Sequence, residues 1–153
     1  MTALPSGTKS KVLGIHTADG ELREAGAGDS VTLSLKDEID LSRGEMLVRS
    51  HNMLLIATCF DAMICWMDET AELMVNSPYF LRQTTREVQA FVRNLDYRVD
   101  VNTLHRDKDA EGLELNEIGR AALEVSQPLF FDPYENNRET GAFILIDPAT
   151  IGQ

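Results

Sequence analysis

Cysteine is nearly absent from this chain of 153 residues, with Cys59 and Cys65 the only two. On one straight strand they would share a face but lie roughly 20 Å apart by strand rise, too far to be bridged, so we expect two buried free thiols. Histidine is almost as scarce: His16, His51 and His105 lie far apart, and neither cysteine has a partner at zinc-finger spacing. No metal site is expected from such a donor set. Positive charge is in deficit, with 14 Lys and Arg against 25 Asp and Glu and a net charge of −11. A surface that tracks phosphates draws its affinity from Lys and Arg displacing counterions, so no nucleic-acid partner is expected. No apolar run approaches the roughly 20 residues that span a bilayer. No basic start is followed by the apolar stretch of a signal peptide. The expectation is a cytoplasmic protein without a membrane partner.

What remains is a globular composition, 43% hydrophobic and 25% charged, in a chain long enough to bury a core. Val31, Leu33 and Leu35 alternate with Thr32, Ser34 and Lys36, the period-two pattern of a half-buried strand. Met1 to Leu4 and Lys9 to His16 read as strands joined by a turn at Pro5-Ser6-Gly7-Thr8. Arg49 to Asn52 is short and polar, and reads as a linker between two modules. From Ala57 to Met67, Phe60, Ala62, Ile64 and Trp66 alternate with Asp61, Met63, Cys65 and Met67, which suggests a strand buried on both faces. Tyr79 to Leu81, Val88 to Leu95 and Arg120 to Val125 are further strand candidates, and Gly141 to Asp147 has the form of a central strand. Helical periodicity is weak and turn signals recur at close spacing, so an all-β barrel or sandwich is expected.

Few residues invite a catalytic reading. A phosphate cradle needs a Gly-rich loop ending in Gly-Lys-Ser/Thr, and Gly7-Thr8-Lys9-Ser10 has those ingredients in the wrong order for anything but a turn. Asp109-Ala110-Glu111-Gly112 has the spacing of a GTPase switch but no phosphate loop before it. Asp37-Glu38 and Asp68-Glu69 read as solvated turn acids, because adjacent strand residues point to opposite faces. Trp66, Phe91 and Phe143 read as core fillers. Asp100 and Asn102 would share one face of an extended segment, while Asn137, Arg138 and Thr140 crowd the entry to the final strand. Such groups either bond backbone at barrel corners or face a partner.

Several segments arrive in a specific order: Gly28 to Leu47, Tyr97 to Leu104, Leu113 to Arg120, Pro128 to Tyr134 and Asn137 to Asp147. That series resembles the end of the second and most of the third elongation-factor-Tu-like domain of the sulfate adenylyltransferase subunit 1 family, the GTP-binding large subunit of bacterial ATP sulfurylase. The resemblance implies a partial translation-factor-type β-barrel over residues 1–49, followed by a second antiparallel β-barrel over 50–153 whose last strand is missing. It also implies a parent subunit that carries GTP and magnesium on a GTPase domain absent here. The parent's partner would be a small catalytic subunit that makes adenylyl sulfate and diphosphate from ATP and sulfate. This chain would then hold no cofactor and no catalytic residue, with Asp100, Asn102, Asn137, Arg138 and Thr140 as partner-facing or barrel-corner candidates. The competing readings are a translation-factor-like barrel pair that binds tRNA or protein, and an inert fragment.

Overall fold

The computed structural model describes residues 1–52 and 54–150 and divides the chain into two compact units, Met1–Leu54 and Leu55–Gln153. The first unit holds β1 (Thr2–Leu4), β2 (Val12–Thr17), β3 (Gly20–Leu22), β4 (Thr32–Leu35) and β5 (Met46–Val48). β1 pairs antiparallel with β5, and β2 lies between β3 and β4 in a second antiparallel sheet. Leu33 and Leu35 are half-buried while Thr32 and Ser34 are exposed, so the alternation read from the sequence is present in β4. The first 49 residues thus yield five strands where turn signals suggest three, because β3 and β5 are only three residues long. The apolar interior of this unit is small, with Ala3 and Leu4 its fully covered apolar residues.

The second unit is built on β6 (Leu55–Cys65), β7 (Leu73–Met74), β8 (Pro78–Gln83), β9 (Arg86–Val99), β10 (Arg106–Asp107), β11 (Gly112–Leu113), β12 (Ile118–Phe131), a single helical turn α1 (Arg138–Gly141) and β13 (Ile144–Ile146). Its main sheet runs in the order β13-β8-β9-β12-β6, every pair antiparallel, with β10 added beside the end of β9. Tyr79 and Leu81 of β8, Val88, Ala90, Val92 and Leu95 of β9, and Ala121, Leu123 and Val125 of β12 point into one cluster with Ile64 and Trp66. The step from Val92 to Leu95 breaks strict alternation. It coincides with register shifts between β9 and β12, where bulges restore the inward phase after adding a residue.

Three expectations are corrected here. The run from Ala57 to Met67, which contains most of β6, is covered on one face only: Ile64 and Trp66 are buried, whereas Met63 is 54% and Met67 74% exposed. Cys59 and Cys65 stand on that open face as exposed, free thiols rather than buried ones. The final apolar run is not a central strand among the described residues, for residues 138–141 turn helically and Ile144–Ile146 pairs there only with β8. Of the three aromatic core fillers, Trp66 is buried and Phe143 packs against the core, but Phe91 is only half-buried and lies beneath the Arg93 guanidinium.

Candidate functional site

β6 and β13 form the two ends of the main path of the six-stranded sheet, and between them opens a cleft of about 780 Å³. One wall is the inward face of β6, with Phe60 and Ile64, continued by Trp66 just beyond the strand, and the other is the segment from Phe143 to Asp147. The apolar floor is tied together by Phe60, whose ring centroid lies 5.3 Å from that of Phe131 and 6.0 Å, edge-on, from that of Phe143.

At one end of the cleft the chain forms a polar knot. Asn137 caps α1, its Oδ1 accepting the Glu139 N–H at 3.1 Å, as short polar side chains do at helix starts. Its Nδ2 donates to Asp132 Oδ2 at 3.3 Å, and Thr140 Oγ1 donates to the same oxygen at 3.0 Å. Gln83, only 3% exposed, donates from Nε2 to the carbonyls of Phe130 at 3.0 Å and Thr140 at 2.8 Å. Its Oε1 is buried and accepts from no donor among the described residues. The turn approaches its own backbone so closely that a Cβ on Gly141 would lie 2.6 Å from Tyr134 Cα and 2.7 Å from the Asp132 carbonyl oxygen. Arg138 is exposed, with its guanidinium 5.7 Å from the centroid of the Tyr134 ring.

Of the five residues singled out from the sequence, Asn137, Arg138 and Thr140 share this turn. Asp100 and Asn102 belong to a different feature, and not to an extended segment, because β9 ends at Val99. Asp100 Oδ1 accepts the N–H of Asn102 at 2.8 Å and of Thr103 at 3.1 Å, closing the turn that leads into β10. Those two backbone donors hold its carboxyl below the ordinary value. Sequence reasoning missed Gln83 and Asp132. The available signal was a glutamine two places beyond Leu81, on the inward side of β8.

The outer face of β6, β12 and β9 carries a ladder of ion pairs, Arg120 to Asp61 at 2.8 Å and Arg93 to Glu124 at 2.6 Å. The hydrogen bond from Arg93 holds the Glu124 carboxyl below its usual range. Arg98 joins Asp107 and Glu117 at 3.0 and 2.8 Å. Among the described residues no group of three or more His, Cys, Asp or Glu is placed to hold a metal ion. No helix there is long and apolar enough to cross a membrane.

The second unit, whose main antiparallel sheet wraps its own core and opens at the cleft between β6 and β13, is a barrel of the translation-factor type. Solved structures of Sup35 complexed with GMPPNP and with GDP share this fold, with TM-scores of 0.83 and 0.84 over 96% and 97% of this chain and 36% and 37% of theirs, at 21% identity. Residues 59–152 match the model of GTP-eEF1A C-terminal domain-like proteins, and the chain belongs to that family. The resemblance to sulfate adenylyltransferase subunit 1 is borne out by curated relatives. The protein of that name from Bacteroides thetaiotaomicron is 47% identical over 97% of this chain and 32% of its own length. "Bifunctional enzyme CysN/CysC" from Mycobacterium tuberculosis is 46% identical over 99% of this chain and 25% of its own. Its counterpart from Rhodopirellula baltica is 50% identical over 98% and 23%. This chain spans about a quarter to a third of the length of the curated relatives it matches.

Proposed function

We propose that this chain is the non-catalytic β-barrel portion of the GTPase subunit of a cytoplasmic sulfate adenylyltransferase. It packs against a GTPase domain that binds GTP and magnesium, and it docks a small catalytic subunit that makes adenylyl sulfate and diphosphate from ATP and sulfate. GTP hydrolysis on the GTPase domain drives that reaction. The observation that carries the reading is identity of 43–50% sustained over 97–99% of the chain to proteins of this one type. The sequence agrees with a scaffold role, since it contains no phosphate loop, and its net charge of −11 disfavours the tRNA-binding alternative.

On this reading the exposed turn at Arg138 is part of the docking surface, because a guanidinium can pair bidentately with a partner carboxylate. Asn137 and Thr140 shape that turn, and Asp100 and Asn102 shape the β9–β10 corner. The test is co-purification with the small subunit from the same source, comparing wild type with Arg138→Ala and with Phe143→Ala as a folding control. Loss with Arg138→Ala alone, in a protein that still melts cooperatively, supports the interface. If the wild-type chain fails to bind even when fused to the GTPase domain, the scaffold reading falls and the chain is an inert fragment.

A further inference from the structure

We infer that the outward face of the second unit's sheet, at the end where β6, β12, β9 and β10 lie side by side, docks an acidic amphipathic segment of a partner protein. The inference rests on this face alone and not on the enzyme to which the chain is assigned. Strand register sets the residues in rows. Cys65 lies opposite Ile118, Ile118 opposite Val99 and Val99 opposite Arg106, so one row crosses all these strands and spans about 14 Å. The row beside it holds Met63, Arg120 and Tyr97, and the Tyr97 hydroxyl reaches over β12 to donate to Met63 Sδ at 3.9 Å. Met63, Cys65 and Arg106 are exposed, and Tyr97, Val99 and Ile118 are half-buried.

Apolar and aromatic side chains thus take over where the ladder of ion pairs stops. Tyr, Met and Arg set among apolar neighbours, with charged pairs at the margin, are the composition of a protein–protein interface and of its energetic anchors. Arg106 gives the charge of the partner. Its guanidinium lies 4.7 Å from the centroid of the Tyr97 ring, a contact that holds it over the face. Arg82, Arg93, Arg98 and Arg120 of the same sheet each pair with a carboxylate. Among the described residues Arg106 pairs with none, in a chain where acids outnumber bases 25 to 14.

A partner carboxylate is the complement that this donor fork lacks. A row of phosphates is not, because Asp61, Asp96, Asp107 and Glu117 stand around the face and repel a polyanion. The occupant is therefore a polypeptide that lays apolar side chains across Cys65, Ile118 and Val99 and sets an Asp or Glu beside Arg106.

The two thiols supply the readout, since Cys65 lies in the row and Cys59, on the same face of β6, lies roughly 20 Å away along the strand. The full chain is alkylated with iodoacetamide, with and without a short peptide alternating leucine and glutamate, and each thiol is followed by peptide mass spectrometry. The expected result is alkylation of Cys65 slowed at least about twofold by about 1 mM peptide, the effect of half-occupancy at a Kd of that size, with Cys59 unchanged. A leucine–lysine peptide should give no protection. Arg106→Glu should exchange the preference, so that the lysine peptide protects Cys65 and the glutamate peptide does not. Arg106→Gln, which keeps an uncharged stem over Tyr97, should lose the first without gaining the second. No protection of Cys65, equal protection of both thiols, or protection by the glutamate peptide that survives both substitutions overturns the proposal. Protection by an oligodeoxythymidine in place of the peptide overturns it in favour of nucleic acid. Slower alkylation of Cys65 as the peptide-free protein is concentrated also overturns it and assigns the face to a second copy.

Discussion

Gln83 shows how much one side chain decides in this unit. Its amide spans from β8 to the carbonyls of Phe130 and Thr140, residues 47 and 57 positions away, and so ties the end of β12 and the α1 turn to the sheet. Replacing it by leucine keeps the volume and removes both donors, leaving buried carbonyl oxygens without partners. Gln83→Leu should destabilise the second unit by about 1–3 kcal/mol, read as a lower urea midpoint at unchanged slope. Asp100 acts through charge instead. Its folded carboxyl is more acidic than the ordinary 3.8 because two backbone N–H groups stabilise the anion. Folding therefore releases protons from this group near that value, so its contribution is complete above the unfolded pKa and is lost as pH falls through the lower folded one. Asp100→Asn keeps an acceptor for the same N–H groups but does not titrate. The variant should lose less stability than wild type when pH is lowered through and below about 4, the usual aspartate range, as followed by urea unfolding at each pH.

At the scale of elements, α1 is the most constrained turn in the second unit. The three nearest contacts awaiting a Cβ on Gly141 are all with backbone, which cannot rotate aside as a side chain would. Gly141→Ala should therefore cost about 1–3 kcal/mol, lower the melting temperature, and loosen the Asn137 and Thr140 bonds to Asp132. The sequence made the existence of most strands legible, since period two is local: β4 alternates as Val31, Leu33 and Leu35 suggest. It did not reveal which faces are covered. Met63 and Cys65 on β6 and Met67 just after it are apolar or nearly so and yet exposed, because apolar residues are common on protein surfaces and hydrophobicity does not name a partner. For the same reason the run from Gly141 to Asp147 reads as a central strand, while Ile144–Ile146 lies at an edge among the described residues. In the candidate site, Asn137 and Thr140 were legible because a cap and its helix are adjacent in sequence. Gln83 and Asp132 were not, since what gives them meaning is a contact across the fold.

For the whole molecule, a chain without a phosphate loop should not hold a nucleotide by itself. Calorimetric titration with GTP and magnesium is expected to show no binding tighter than about 1 mM, near −4 kcal/mol. The two units should also differ in resistance to opening. The first has sheets of two and three strands, whose short strands leave edges unpaired, and few fully covered apolar side chains. The second surrounds a continuous core that includes Leu73, Leu81, Val92, Leu113 and Ala121, all at 0% exposure, and strands of 14 residues pair along most of their length. A protease needs a locally opened, extended backbone, and openings of that kind are drawn from the least stable part of a structure. Arg23, Arg43 and Arg49 are exposed and lie outside the strands of the first unit, whereas Arg93, Arg98 and Arg120 sit within long paired strands. Brief trypsin treatment should therefore cut first at Arg23, Arg43 or Arg49 and leave a resistant fragment beginning near Asn52, identified by its intact mass. Cleavage at Arg93, Arg98 or Arg120 at the same rate would mean that the two units open together, and the difference in stability argued from their cores would be wrong.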